Sequence, residues 1–279
     1  MKRGRGKDRL DWSAVLEAAA EIVVTYDIPP TLRQLFYRLV AMGAIPNTTT
    51  VYKMLSSRTA KARREGAFPA LVDLTREIRR DPSWTGPRDA LEALQSQYRR
   101  DRTEGQAWAV YLGVEKHALV RQLETWFSEY GVPILALGGY SSQTYVDEVA
   151  EDIRSQDRPA VLVYGGDFDP SGLDIQRDFA ARVGVFEQVQ RVALTWDQVL
   201  EHELPPQPGK ATDSRAARFV ERHGELVQVE LDALSPEVLH QVYLDALTPM
   251  LDVSTWASSM DREREDRRRL AALLEEPGP

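Results

Sequence analysis

Asp167 and Asp169 lie one residue apart in VLVYGGDFDPSG, residues 161–172, directly behind an apolar run and ahead of a Pro-Ser-Gly turn. Glycine, aspartate and proline all weaken a strand, so a purpose other than packing is expected for them. If the backbone stays extended through GDFD, the carboxylates at i and i+2 point the same way. Converging carboxylates repel, and the pKa of one rises unless a cation neutralises them. A hard divalent ion, Mg²⁺ foremost, meets that need and brings phosphate oxygens as its other ligands. Glu115 closes an earlier apolar stretch, AVYLGVEK, and is the third acid at a strand end. Gly165, Gly166 and Gly172 are expected to let backbone and nucleic acid approach closely.

The elements that must carry these acids alternate. AWAVYLGV, VPILAL, AVLVYGG and VQRVAL read as strands, separated by the helical stretches KHALVRQLETWFSEYG, SSQTYVDEVAEDIRS and SGLDIQRDFAARVG. Such alternation predicts βαβ units and a parallel sheet covered by helices. In that architecture functional groups gather beyond the carboxyl ends of the strands, which is where the three acids fall. LVQVELDAL, a helix from Ser235 and a charged helix, DREREDRRRLAALLEE, follow.

Ahead of the sheet, residues 1–80 read as three helices. Apolar residues at Val15, Ala19, Ile22 and Val23 have helical spacing. Ile28-Pro29-Pro30 breaks that helix, and Thr31-x-x-Gln34 has the form of a capping box that opens a second one, ending at Gly43. A third helix runs from Thr48–Thr50 to Gly66, with Lys53, Ser57, Lys61 and Arg64 on one polar face and Val51, Leu55 and Ala62 turned inward. Arg58 and Arg63 add to its charge. With the β-capable AFPALVDL behind them, three helices predict a winged helix-turn-helix whose last helix meets DNA phosphates through Lys53, Arg58, Lys61, Arg63 and Arg64. The expected organisation is a winged-helix domain over 1–80, a linker over 81–106 and the α/β domain over 107–250. The charged helix occupies 251–279.

Charge supports that division. Of 279 residues, the first 80 hold 15 Lys/Arg against 8 Asp/Glu and the remainder 20 against 35, so the net −8 hides a basic module joined to an acidic one. The chain has no cysteine, which excludes disulfides, thiolate–zinc centres and cysteine nucleophiles. Its four histidines lack ligand spacing. No apolar run is long enough to span a bilayer, and the basic start MKRGRGKDRLDW lacks the apolar stretch of a secretory signal. A cytoplasmic, nucleoid-associated protein is expected.

VEKHALVRQL, the GVP and GY of YGVPILALGGY, and GDFDPSGLDI together resemble the Toprim domain of type IIB topoisomerase (topoisomerase VI) A subunits and the related meiotic double-strand-break transesterase. RQLFY, residues 33–37, resembles the Arg-x-x-Tyr-Tyr segment of that family's CAP-like winged helix. Together the motifs span most of residues 30–180 and resemble a stand-alone "mini" A form. The resemblance implies a winged helix joined to a Toprim domain. Tyr37 is then the nucleophile that forms a 5′-phosphotyrosyl bond, with Arg33 at the transferred phosphate. Glu115, Asp167 and Asp169 hold Mg²⁺, with Glu115 also placed for proton transfer. It further implies a homodimer on double-stranded DNA, the tyrosine of one protomer meeting the acids of the other. A phenol with pKa about 10 needs positive charge or a base nearby, and Arg33 lies one helical turn before Tyr37. Tyr37 falls beside the apolar stripe Leu32, Leu35, Phe36 and Leu39, so exposure is expected for it.

The chain departs from the family in two places. Phe36 replaces the first tyrosine of the pair, and GGYSS at 138–142 stands where the family has Lys-Gly-Tyr-Pro-Asp. No GxxxxGK loop occurs, so any ATPase belongs to a separate B-type or SMC-like subunit. Three other readings use the same residues. One is a Toprim nuclease that activates water, as a subunit of an anti-plasmid defence complex. Another is a phosphatase-like enzyme built on the DxD loop. The last is a DNA-binding subunit without catalysis.

Overall fold

The computed structural model describes residues 10–26, 29–73, 80–209 and 212–275. Eleven helices and six strands are assigned among them. The helices are α1 (Trp12–Val24), α2 (Leu32–Ala41), α3 (Thr49–Arg64), α4 (Pro87–Gln97), α5 (His117–Phe127), α6 (Gln143–Ser155), α7 (Pro170–Val183), α8 (Trp196–Glu201), α9 (Ala216–His223), α10 (Pro236–Leu247) and α11 (Val253–Glu275). The strands are β1 (Ala109–Val114), β2 (Ile134–Ala136), β3 (Ala160–Gly165), β4 (Phe186–Ala193), β5 (Gln207–Pro208) and β6 (Val227–Gln228). No helix among the described residues is long and apolar enough to cross a membrane.

The chain divides into two compact units that its sequence order does not anticipate. One comprises Met1–Leu74, Gly166–Leu173 and Ala193–Leu239; the other comprises Thr75–Gly165, Asp174–Val192 and His240–Pro279. Two excursions from the sheet, after β3 and after β4, therefore join the N-terminal helices instead of extending the α/β core.

The second unit is built on a sheet of order β2-β1-β3-β4. β1 runs parallel to both β2 and β3, with Val114 opposite Ala136 and Gly165. Every residue of β1 and β3 is buried, the signature of a parallel strand covered on both faces. β4 exposes Glu187, Gln188, Val189 and Gln190, the charged and polar face of an edge strand. Tyr111, Leu162 and Tyr164 pack with Val146, Ile153 and Phe179 from α6 and α7, while α5 packs on β1 and β2. Tyr243 of α10 is fully buried and its hydroxyl donates to the Gly113 carbonyl at 2.6 Å. A Cβ at Gly165 would lie 2.5 Å from that tyrosine's oxygen. Gly165 is thus required by Tyr243, a partner the sequence did not reveal.

In the first unit the N-terminal helices form as expected from their caps. Asp11 accepts from the Ser13 and Ala14 N–H groups at the start of α1. Thr31 and Gln34 close a reciprocal capping box on α2: the Gln34 N–H donates to Thr31 Oγ1 at 3.2 Å and the Thr31 N–H to Gln34 Oε1 at 2.8 Å. Such a cap stabilises a helix by about 1 kcal/mol. Gly43, at φ +70°, takes the left-handed conformation that ends the helix. Thr48 caps α3, which buries Val51, Leu55 and Thr59. The expected wing is not seen: residues 67–73 form no strand, and 74–79 lie outside the described residues. The three helices are present, and a winged helix is not established.

Candidate functional site

The GDFD segment is held extended within the first unit by paired backbone bonds on both sides. Gly166 exchanges two bonds with Ala193 and Leu194, each of 2.8 Å. Phe168 exchanges two with Val229, at 2.8 and 3.0 Å. The Phe168 ring packs on Trp196, Phe219 and His223, with centroids 5.1–5.6 Å away. Asp167 and Asp169 flank Phe168, and Asp169 stands at the bend that opens α7.

Both aspartates also serve the backbone. Asp167 is buried, and its Oδ1 accepts the Leu231 N–H at 2.8 Å, at the head of a 3-10 turn over Leu231–Ala233. Asp169 Oδ1 accepts the Gly172 N–H at 2.7 Å and so caps α7, whose first residue is Pro170. Ser171 is tied to Asp213 and Arg215 by bonds of 3.2 and 2.9 Å. The Arg215 side chain and backbone, bonded to Asp213, hold that carboxyl down to about 2.

That 3-10 turn carries the residues that sequence reasoning missed. Glu230 and Asp232 flank Leu231, and both carboxylates engage the Arg33 guanidinium: Glu230 by a direct hydrogen bond, Asp232 at 3.5 Å. Partial burial opposes the positive charge, but the two carboxylates outweigh it and raise the arginine's pKa above its usual value. A signal for them existed. VQVELDAL places two acids one residue apart directly behind a strand, the same pattern that drew attention to GDFD.

Tyr37 is only 7% exposed, against the expectation from its helix face. The stripe argument allows for one covered side, whereas α2 packs against α1, α3 and the 3-10 turn. Its ring meets Phe36 edge-on at 5.3 Å, and Arg33 Cζ lies 6.0 Å from its centroid. Tyr37 nevertheless lines a cavity of about 580 Å³. Phe36 and Tyr52 form its other aromatic walls, Asn47, Thr48 and Thr49 one polar edge, and Arg33, Gln207 and Glu230 another. The Asn47 side-chain nitrogen is buried without a hydrogen-bond partner among the described residues. An unmet buried donor costs about 1–3 kcal/mol.

Arg33, Tyr37, Asp167 and Asp169 therefore belong to one compact unit, while Glu115 belongs to the other. Glu115 is half-buried, and its N–H donates to the Gly165 carbonyl at 3.0 Å, adding a rung after β1 and β3 end. Among the described residues no three His, Asp or Glu side chains gather closely enough to cage a metal. Hard carboxylate oxygens still suit Mg²⁺, which takes one or two carboxylates and completes its shell with water and phosphate oxygens. On that count Asp167 and Asp169 carry the kind of oxygen the ion takes.

The expected DNA face of α3 is exposed at Lys53, Arg58, Lys61, Arg63 and Arg64. Three of these cations have local partners: Arg58 lies 4.8 Å over the Trp12 ring, Lys61 is 3.8 Å from Glu65, and Arg63 Nε donates to the Thr59 carbonyl at 3.4 Å. No protein-family model matches the chain, and no curated protein matches it.

Proposed function

We propose that this protein is a Mg²⁺-dependent DNA-cleaving enzyme of the topoisomerase VI A-subunit kind, with Tyr37 as nucleophile, acting as a homodimer on double-stranded DNA in the cytoplasm. A separate ATPase subunit, B-type or SMC-like, is compatible with this reading. One observation carries it. Arg33, one turn from Tyr37, is bound by Glu230 and Asp232, and the residue between those acids donates its N–H to Asp167. The two motifs that resemble the family, far apart in sequence, are thereby tied to one three-residue turn.

In the reaction the Tyr37 phenolic oxygen bonds to phosphorus as the bond from phosphorus to the 3′ oxygen breaks, leaving a 5′-phosphotyrosyl end and a 3′ hydroxyl. The phenolic proton passes to a carboxylate, for which Glu230 lines the same cavity. The departing 3′ oxygen takes its proton from a water molecule, whose hydroxide is neutralised by the proton that the carboxylate later releases. Arg33 orients the phosphate and offsets its charge, in exchange for the carboxylates it holds at rest. Bound by Asp167 and Asp169, Mg²⁺ would supply further neutralisation of charge on the phosphate and the leaving oxygen.

The low exposure of Tyr37 favours a second reading, a Toprim nuclease in which water replaces the phenol. Incubation with supercoiled DNA and Mg²⁺ separates the two. The transesterase leaves protein covalently attached to 5′ ends, and Tyr37→Phe abolishes both adduct and cleavage. Unchanged cleavage by Tyr37→Phe, with no adduct in the wild type, would establish the nuclease instead.

A further inference from the structure

We propose that the cavity beside Tyr37 receives a single unstacked nucleobase of the DNA, next to the phosphate that is transferred. This rests on the DNA-cleaving reading and adds to it a base subsite.

The walls fit a base better than they fit an apolar ligand. Tyr52 and Tyr37 both meet the ring of Phe36, the Tyr52 ring perpendicular to it at 5.2 Å. Aromatic walls bind any base through its π face, without regard to sequence. Thr48, Thr49 and Gln207 line it with hydroxyl and amide groups, and every base edge carries acceptors for them. A purely apolar ligand would leave those groups unmet. The volume, about 580 Å³, falls in the range of about 300–1,000 Å³ typical of small-molecule pockets.

The surroundings point to a base that arrives attached to a backbone. Tyr52 on α3 is followed directly by Lys53 of the exposed basic face. The first turn of α3, whose cap Thr48 lines the cavity and accepts the Val51 N–H, carries no acidic side chain to repel a phosphate. Arg33, which lines the same cavity, is a cation for that phosphate. Extracting a base costs stacking and pairing energy, least where the base is already unpaired.

Equilibrium binding without Mg²⁺, where no cleavage occurs, tests this on three duplexes of one sequence: fully paired, with one unpaired adenine, and with an abasic residue at that position. Wild type is expected to bind the adenine bulge about ten-fold more tightly than the paired duplex, with most of that gain lost on the abasic bulge. Tyr52→Ala should erase the preference and Tyr52→Phe should keep it. Equal affinity for the adenine and abasic bulges would overturn the proposal, because a kink and not a base would then be recognised. So would tight binding of free deoxyadenosine monophosphate with no bulge preference, which would make the cavity a site for free nucleotides. Salt-dependent binding that lacks the preference removes the base subsite alone, whereas failure to bind any duplex removes the DNA reading itself. A preference that persists when no covalent adduct forms leaves the subsite and removes only Tyr37 as nucleophile.

Discussion

Each unit of the molecule holds a cluster of arginine and carboxylate, and the two are built on opposite terms: cations around a buried acid in one, acids around a half-exposed cation in the other. In the second unit Arg102 and Glu263 are both almost fully buried and joined at two points, Nε and Nη2, by bonds of 3.0 and 2.7 Å. The remaining Nη1 donates to the Glu129 carbonyl, and Glu263 also accepts the Arg100 N–H. Arg267 and Arg99 also approach Glu263, at 3.3 and 3.9 Å, so a single buried carboxylate is held by several cations, as structural pairing requires. In the first unit the Arg33 side chain is about half exposed, yet two carboxylates compete for it at the edge of a cavity. Glu230 and Asp232 are themselves mostly buried, so the cluster sets an excess of acid around a cation that still reaches water. It is the arrangement expected of a charge that changes partners when a phosphate arrives.

The widest separation between the clusters should appear in stability. Glu263→Ala leaves Arg102 buried without its carboxylate and should cost about 3–5 kcal/mol, read as a lowered denaturant midpoint. Glu230→Ala should cost less, about 1–3 kcal/mol, because Arg33 keeps Asp232 and stays in reach of water. If the two variants unfold alike, the distinction between a structural and a functional cluster fails.

Acid titration applies the same contrast more gently. Hydrogen bonding to Arg102 holds the Glu263 carboxyl below its usual value, against the opposing effect of burial. Arg215 does the same for Asp213, from 3.8 to about 2. A carboxylate whose folded pKa is depressed contributes stability above its unfolded pKa and loses it as pH falls toward the folded value. Thermal midpoints should therefore drop between about pH 5 and pH 2. In Asp213→Asn the part of that drop due to this group should vanish. A variant with the wild-type pH profile would show that the Arg215 contact does not govern Asp213.

What was legible in the sequence was local. The Thr31–Gln34 box, the helix start near Thr48–Thr50 and the apolar runs of β1 and β3 place their elements within a few residues of where they stand, because caps and strand patterning act over short spans. What was not legible depends on partners distant in the chain. Arg33 and Glu230 are 197 residues apart. Gly165 is a glycine because Tyr243 presses against it. Tyr37 is buried because a turn encoded near residue 231 covers its helix. No periodicity within RQLFY could have revealed that third neighbour. The wing fails similarly: AFPALVDL has strand propensity, but residues 67–73 pair with no strand among the described residues, and propensity without a partner does not make a sheet.

The smallest expected effect is also the most specific to the first unit. At rest Glu230 competes with phosphate for Arg33; Glu230→Gln removes one carboxylate and leaves a side chain of the same size. The variant should bind DNA more tightly, and its affinity should fall more steeply with salt, because one further cation is free to displace counterions. Each phosphate neutralised adds about 0.9 to the slope of log affinity against log salt. Lys61→Gln should act oppositely: α3 loses a cation, and the slope becomes shallower by about the same amount. Measured side by side in Mg²⁺-free buffer, the two variants should move to opposite sides of the wild type while their melting temperatures barely change. Slopes shifting in the same direction would mean that Arg33 does not exchange carboxylate for phosphate, and that Glu230 fixes the arginine in place much as Glu263 fixes Arg102.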